Sequence, residues 1–97
     1  MKTITINNKQ YEVIKNYKDA IDIADLETRI TEYYNNFDYI LGDYAYGKVR
    51  LKGFNEKGNK QFKPMNDYSK IEEYIEKYCA YECKHFIIRQ IKKEIEK

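Results

Sequence analysis

The segment from Tyr44 to Phe54 constrains the fold more than any other part of the chain, because it alternates strictly between two kinds of side chain. One alternate set is small or aliphatic: Ala45, Gly47, Val49, Leu51 and Gly53. The other set is aromatic or basic: Tyr44, Tyr46, Lys48, Arg50, Lys52 and Phe54. Successive side chains of a β-strand point to opposite faces of the sheet. The pattern therefore predicts one long strand with an aromatic and basic face.

The N-terminal half contains signals for a hairpin and a helix. Residues 3–6 and 11–14 alternate in polarity on either side of an Asn-rich turn, and asparagine tolerates the positive φ that a tight hairpin needs. Apolar residues spaced by three and four predict a first helix over about 25–35. Residues 38–41 then predict a short strand that Gly42 interrupts.

The C-terminal half contains a second helix and a final strand. A capping box from Ser69 to Glu72 predicts a helix over about 70–78. Phe62 is expected to begin a short strand that stops at Pro64. The apolar residues 85–88 predict a last strand. A continued helix through about residue 95 is the alternative, since isoleucines recur there every four residues.

These elements predict a single α+β domain over residues 1–97, with a mostly antiparallel sheet of about five strands and two helices packed on one face. The charged residues 92–97 are expected to form a frayed tail. No apolar run approaches the roughly 20 residues that span a bilayer, and no export signal accompanies the two cysteines. We therefore expect a cytoplasmic protein that does not contact the membrane.

Charge is distributed unevenly although the net charge is only +2, which does not by itself indicate nucleic-acid binding. Residues 19–43 contain seven acids and one base, Arg29. Residues 48–63 contain six bases and one acid, Glu56. The two stretches could attract each other within the fold or form two separate patches.

The aromatic and basic face has three interpretations. An antiparallel strand with a solvated outer face gives the same pattern and explains it most simply. Rings and cations on one exposed face also suit single-stranded nucleic acid, since bases stack on rings and phosphates attract cations. A protein partner is the third interpretation, because tyrosine offers contact area at low entropic cost. In the last two cases the aromatic and basic set from Tyr44 to Phe54 is the candidate binding site.

Gly42 and Asp43, just before this segment, are further candidates. Asp38 and Asp43 flank an apolar stretch, which is compatible with acid–base or metal chemistry, but no histidine or third acid lies nearby in the sequence. We expect Gly42 to provide a bulge or a close approach. Asp43 is expected to cap the bend or to pair with a base.

Cys79 and Cys83, followed by His85, form the last candidate cluster. Structural zinc requires four ligands, and redox motifs favour two cysteines separated by two residues, so packing is the simplest role for these thiols. A thiol-dependent redox or metal role stays as an alternative. The chain has one histidine, one serine and no glycine-rich phosphate loop. We therefore predict no catalytic residues, no metal and no cofactor.

The residues from Phe37 to Phe54 resemble the central motif of the YutD-like family. In that motif an aromatic residue, Asp-Tyr-Ile, an aliphatic residue and Gly-Asp precede an aromatic pair and Leu-Arg-Leu-Lys-Gly-Phe. Residues 73–79 and Cys83 are similar to the second half of the family pattern. Two positions differ, since Tyr44 stands where the family often has Trp and Val49 where it often has Leu.

The resemblance implies a small cytoplasmic protein of Gram-positive bacteria with a mixed α/β fold and no established activity. It carries over no catalytic residue. Together with the residue patterns, it leads us to expect a non-catalytic binding or regulatory module. Its partner is either a protein or single-stranded nucleic acid.

Overall fold

The computed structural model describes residues 2–78 and 83–91 and contains a five-stranded antiparallel sheet with two α-helices. The α+β class that the sequence predicts is therefore confirmed. The strands are β1 (Lys2–Ile6), β2 (Lys9–Tyr17), β3 (Tyr39–Ala45), β4 (Lys48–Phe54) and β5 (His85–Gln90). The helices are α1 (Ile23–Arg29) and α2 (Ile71–Tyr78), with short 3-10 turns at Glu32–Asn36, Pro64–Asn66 and Tyr68–Lys70.

The strands are arranged in the order β1-β2-β5-β3-β4, so the most C-terminal of the described strands lies at the centre of the sheet. The β1–β2 hairpin is confirmed, and its two-residue turn places Asn7 and Asn8 at φ values of 53° and 69°. The second hairpin joins β3 to β4. Strand β5 pairs with β2 on one side and with β3 on the other. Strands β1 and β4 are consequently the two edges.

The single long strand predicted from Tyr44 to Phe54 is wrong. Tyr46 and Gly47 adopt φ values of 55° and 78° and form a two-residue hairpin turn between β3 and β4. Gly42, expected to interrupt the short strand predicted at 38–41, instead lies within β3 and pairs with Leu51 and Phe86. The aromatic and basic residues therefore belong to two strands and a turn.

The two helices cover opposite faces of the sheet, which corrects the expectation that both pack on one face. Leu26 of α1 packs in a core cluster with Ile40 and Ile88. Ile71 of α2 packs in a second cluster with Leu41 and Ile87, the alternate residues of the same two strands. Strands that are apolar on both sides need a cover on both sides. We call the two sides of the sheet the α1 face and the α2 face.

Other local predictions are partly confirmed. The second helix and the C-terminal strand are confirmed over Ile71–Tyr78 and His85–Gln90, and the alternative of a helix at 85–90 is wrong. The first helix is shorter than predicted and ends at Arg29. Residues 61–63 form no strand, so the strand predicted at Phe62 is wrong.

Asp67 caps the 3-10 turn Tyr68–Lys70 that leads into α2, and Ser69, the expected cap, donates hydrogen bonds to Asp67. The Asp67 carboxylate accepts hydrogen bonds from the Ser69 amide at 3.0 Å and from the Ser69 hydroxyl at 2.8 Å. These two bonds lower the pKa of Asp67. In the part of the chain that the structure describes, no helix is long and apolar enough to cross a membrane.

Candidate functional site

The two-residue turn at Tyr46 and Gly47 decides where each candidate side chain points. It pairs Ala45 with Lys48, so odd-numbered residues of β3 share a face with even-numbered residues of β4. Lys48, Arg50, Lys52 and Phe54 therefore lie on the α2 face, whereas Tyr44 lies on the α1 face. The six candidate binding residues do not share one face, which corrects the prediction from the sequence.

Tyr44 is part of the packing between the sheet and the segment before α1. Its hydroxyl donates a hydrogen bond to the Ala20 carbonyl at 2.9 Å, and its ring packs against the α1-face core. The Lys84 ammonium lies 4.7 Å from the ring centroid. Burial raises the pKa of Tyr44. Contacts on both sides hold the Tyr44 ring, so it is not free to stack on a nucleic-acid base.

Lys52 and Phe54 contact α2. Phe54 is buried and meets Tyr74 edge-on, with 5.5 Å between ring centroids. The Lys52 ammonium lies 5.2 Å from the Phe54 ring and 5.5 Å from the Tyr74 ring, within the range of cation–π attraction. The contacts of both residues thus hold the edge strand β4 against α2.

Arg50 makes a bidentate ion pair with Asp43, its neighbour across the hairpin. The two N–O distances are 2.6 Å and 3.2 Å, and the Asp43 side chain is buried. The same guanidinium donates to the Tyr78 carbonyl at 3.1 Å, at the end of α2. Hydrogen bonding to Asp43 raises the pKa of Arg50. The expectation that Asp43 pairs with a base is confirmed, and the pair links the acidic and basic stretches.

His85 is a neighbour of Asp43 that the sequence does not reveal. The two residues are register partners on β5 and β3, and Tyr17 flanks the imidazole from β2, with 5.2 Å between ring centroids. His85 Nδ1 lies 2.9 Å from the Cys83 carbonyl oxygen. His85 Nε2 is buried and has no hydrogen-bond partner among the described residues. Only the strand order, which brings β5 beside β3, could have indicated this proximity.

Gly42 is a site of close approach, as expected. A β-carbon at this position would lie 2.2 Å from the Phe86 ring on the neighbouring strand. Phe86 is fully buried in the α1-face core. Gly42 therefore has a packing role.

The cysteine cluster is only partly described. Cys83 precedes β5, and Cys79 lies outside the described residues. Within residues 2–78 and 83–91, no three side chains of the metal-ligating types come together. The thiol-dependent alternative remains a prediction.

The exposed hydrophobic side chains near the second hairpin lie at its tip and in a groove beside β4. Tyr46, at the hairpin tip, is fully exposed. Beside Leu51 and Gly53 a groove of about 410 Å³ opens between the segments at 33–37 and 61–66. Two of its lining residues, Tyr33 and Met65, have exposed fractions of 66% and 74%. Tyr46, Met65 and Tyr33 are the most exposed large hydrophobic residues in the described part of the chain.

The sequence pattern did not single out Tyr33 or Met65. Tyr33 and Tyr34 are equivalent in a pattern of helical spacing, and only the 3-10 turn at Glu32–Asn36 leaves Tyr34 half-buried and Tyr33 exposed. Met65 lies in a loop without periodicity. The one sequence signal for Met65 is that it is a large apolar residue in a polar loop.

Comparison with known proteins identifies the family. A family model described as "YutD-like: Putative antitoxin YutD-like" matches residues 5–89. The chain belongs to the YutD-like family. A curated relative, "Putative antitoxin YutD" of Bacillus subtilis (strain 168), is 36% identical over 90 residues, which cover 93% of this chain and 99% of the relative.

The fold agrees with a solved YutD-like structure. The solution NMR structure of protein yutD from B. subtilis superposes with a TM-score of 0.76 at 33% sequence identity. The superposition covers 99% of this chain and 87% of that chain. The YutD-like resemblance that the central motif indicates is therefore confirmed by sequence and by structure.

Proposed function

We propose that this YutD-like chain is a non-catalytic module that binds a partner protein through its second hairpin. The observation that carries the proposal is the position of the exposed hydrophobic side chains. Tyr46, Tyr33 and Met65 lie at the tip or along the free side of β4. Tyr33 and Met65 share one groove, which Tyr46 does not line. Exposed apolar residues that share a groove on a small domain mark interaction sites more often than residues scattered singly.

The backbone of Tyr46 supports this choice. A non-glycine residue at positive φ is disfavoured, and asparagine, aspartate or glycine is preferred at the first position of such a turn. Tyr46 occupies that position at φ 55° and its ring contributes no burial to the fold. A residue that destabilises a turn and packs against no other group is expected where its side chain binds a partner.

The contacts of the basic side chains favour a protein over single-stranded nucleic acid. Nucleic-acid stacking requires rings and cations together on an accessible surface. Here Arg50 is paired with Asp43, Lys52 lies against two rings, and Tyr44 packs under the opposite face.

We further propose that this chain acts as an antitoxin, the role given in the name of its relative "Putative antitoxin YutD". A protein that neutralises another protein by binding it needs a binding surface but no catalytic residues. The buried Asp43 carboxylate is committed to Arg50, which supports a non-catalytic role. We further propose that the module acts in the cytoplasm.

Site-specific photocrosslinking tests the proposal. A benzophenone amino acid is placed at Tyr46, and at Thr3 on the opposite edge as the matched control, in cells that produce the protein. We expect Tyr46 to capture a discrete protein that Thr3 does not capture. Nuclease-sensitive products at Tyr46, or identical products at both positions, would refute a protein partner at the hairpin. The antitoxin role further requires that the captured protein arrests growth alone and not with this chain.

A further inference from the structure

The outer backbone of β4 is available for pairing. In a two-residue hairpin the pair that closes the turn is hydrogen-bonded, and bonded and non-bonded pairs then alternate. Lys48, Arg50 and Lys52 therefore use their backbone groups with β3. The backbone N–H and C=O groups of Val49, Leu51 and Gly53 point away from β3. They meet no backbone partner within the described residues.

Asn55 shows that this edge can accept another strand. It continues the outward series of β4, two residues after Gly53. Its amide donates to the Asn66 carbonyl at 2.7 Å, and its carbonyl accepts from the Tyr68 amide at 2.9 Å. These bonds form a parallel bridge between Asn55 and Asp67. The bridge satisfies the edge at one position, and the three preceding outward positions have no backbone partner among the described residues, although Val49 and Gly53 are buried and only Leu51 is half-buried.

The groove beside the open positions is apolar and basic. Tyr33, Phe37 and Met65 contribute its apolar surface next to Leu51 and Gly53. Lys52 and Lys63 also line it, and none of the described residues that line it is acidic. A strand laid along β4 would therefore meet backbone partners, and at its Leu51–Gly53 end it would meet Lys63, whereas the groove at Val49 contains Asp19, Asp22 and Asp25 beside Lys48.

We propose that β4 accepts an extended, acidic segment of the partner protein as an added sixth strand, an inference that rests on the proposed function. Strand addition uses backbone bonds for affinity and alternate side chains for specificity. A second copy of β4 fits poorly, because Lys48, Arg50 and Lys52 would face the same charges. The Asn55 bridge limits the added strand to the length of Val49–Gly53, roughly 16 Å.

A labelled peptide of alternating glutamate and valine, about eight residues long, tests the proposal. We expect saturable binding and slower amide hydrogen exchange at Val49, Leu51 and Gly53 of the unmodified protein. Leu51→Pro removes one outward N–H, and Leu51→Ala trims the side chain but keeps that N–H. Leu51→Pro should weaken binding about tenfold relative to Leu51→Ala, as expected for one lost hydrogen bond.

Three results would overturn the inference: no saturation up to about 1 mM peptide, unchanged amide exchange along β4, or equal binding of a peptide with lysine in place of glutamate. The exchange experiment holds even if Leu51→Pro fails to fold. Failure of the two proposals is distinguishable. If Tyr46 captures a protein in Leu51→Pro as well as in Leu51→Ala, the binding function stands and strand addition fails. If Tyr46 captures no protein in the unmodified chain, the proposed function itself fails.

Discussion

At the scale of single residues, the contact between Gly42 and Phe86 limits what the sheet can tolerate. The Phe86 ring occupies the volume in which a β-carbon of residue 42 would lie. Both residues are buried at the centre of the sheet, where neighbouring backbone cannot move away easily. The glycine is thus required by its neighbour and not by its own φ.

Gly42→Ala should therefore lower the free energy of unfolding. Overpacking a rigid core typically costs about 1–3 kcal/mol, and urea denaturation monitored by tyrosine fluorescence measures this loss. Gly58→Ala is the matched control, because nothing lies within 4 Å of a β-carbon at that exposed turn position. Equal losses in the two variants would contradict this account.

The sequence alone indicates part of this role. A glycine within an apolar strand predicts a bulge or a close approach. The identity of the approaching group depends on β5 lying beside β3, and no local pattern contains that pairing. The proximity of His85 to Asp43 escapes sequence reasoning for the same reason.

At the scale of elements, the two hairpins show what turn chemistry reveals. The first turn carries Asn7 and Asn8, whose tolerance of positive φ predicts a hairpin that the structure confirms. The second turn carries Tyr46 and Gly47, and a tyrosine gives no turn signal. Because a two-residue turn does not interrupt the alternation of the sequence, the pattern from Tyr44 to Phe54 resembles one strand.

Replacing Tyr46 tests whether the tyrosine at this position lowers the stability of the turn. Tyr46→Asn should raise the free energy of unfolding by about 0.5–1 kcal/mol, because asparagine adopts positive φ at lower cost. Tyr46→Phe should leave it unchanged, since the exposed hydroxyl makes no contact that holds the fold. Thermal and urea unfolding of the two variants measure this difference. A destabilised Tyr46→Asn would show that the tyrosine ring stabilises the turn.

At the scale of the whole molecule, tyrosines are built into both cores, and this makes the fold sensitive to alkali. Burial raises the pKa values of Tyr11, Tyr34, Tyr39, Tyr44, Tyr68 and Tyr74 above their ordinary value of 10.0. For Tyr39, a hydrogen bond donated to Glu56 raises it further. In the unfolded chain these phenols ionise near their ordinary value.

The free energy of unfolding should therefore fall as the pH rises above about 10. Above this pH the unfolded state releases protons that the folded state retains, so each further unit of pH lowers the free energy of unfolding. Below the ordinary value the stabilisation is fully present. Urea unfolding between about pH 8 and pH 11 measures the slope. Tyr39→Phe should reduce this slope, because it removes one of the phenols whose pKa the fold raises.

The central position of β5 also has a consequence for synthesis. A ribosome produces both hairpins before it produces residues 85–90, and the structure describes no direct pairing between β2 and β3. Until β5 emerges, one side of each hairpin has no strand beside it, and contacts between residues far apart in the chain form slowly. Until then the nascent chain presents the edges of β2 and β3, which β5 covers in the finished sheet, and such unpaired edges are the kind of surface that chaperones and proteases recognise.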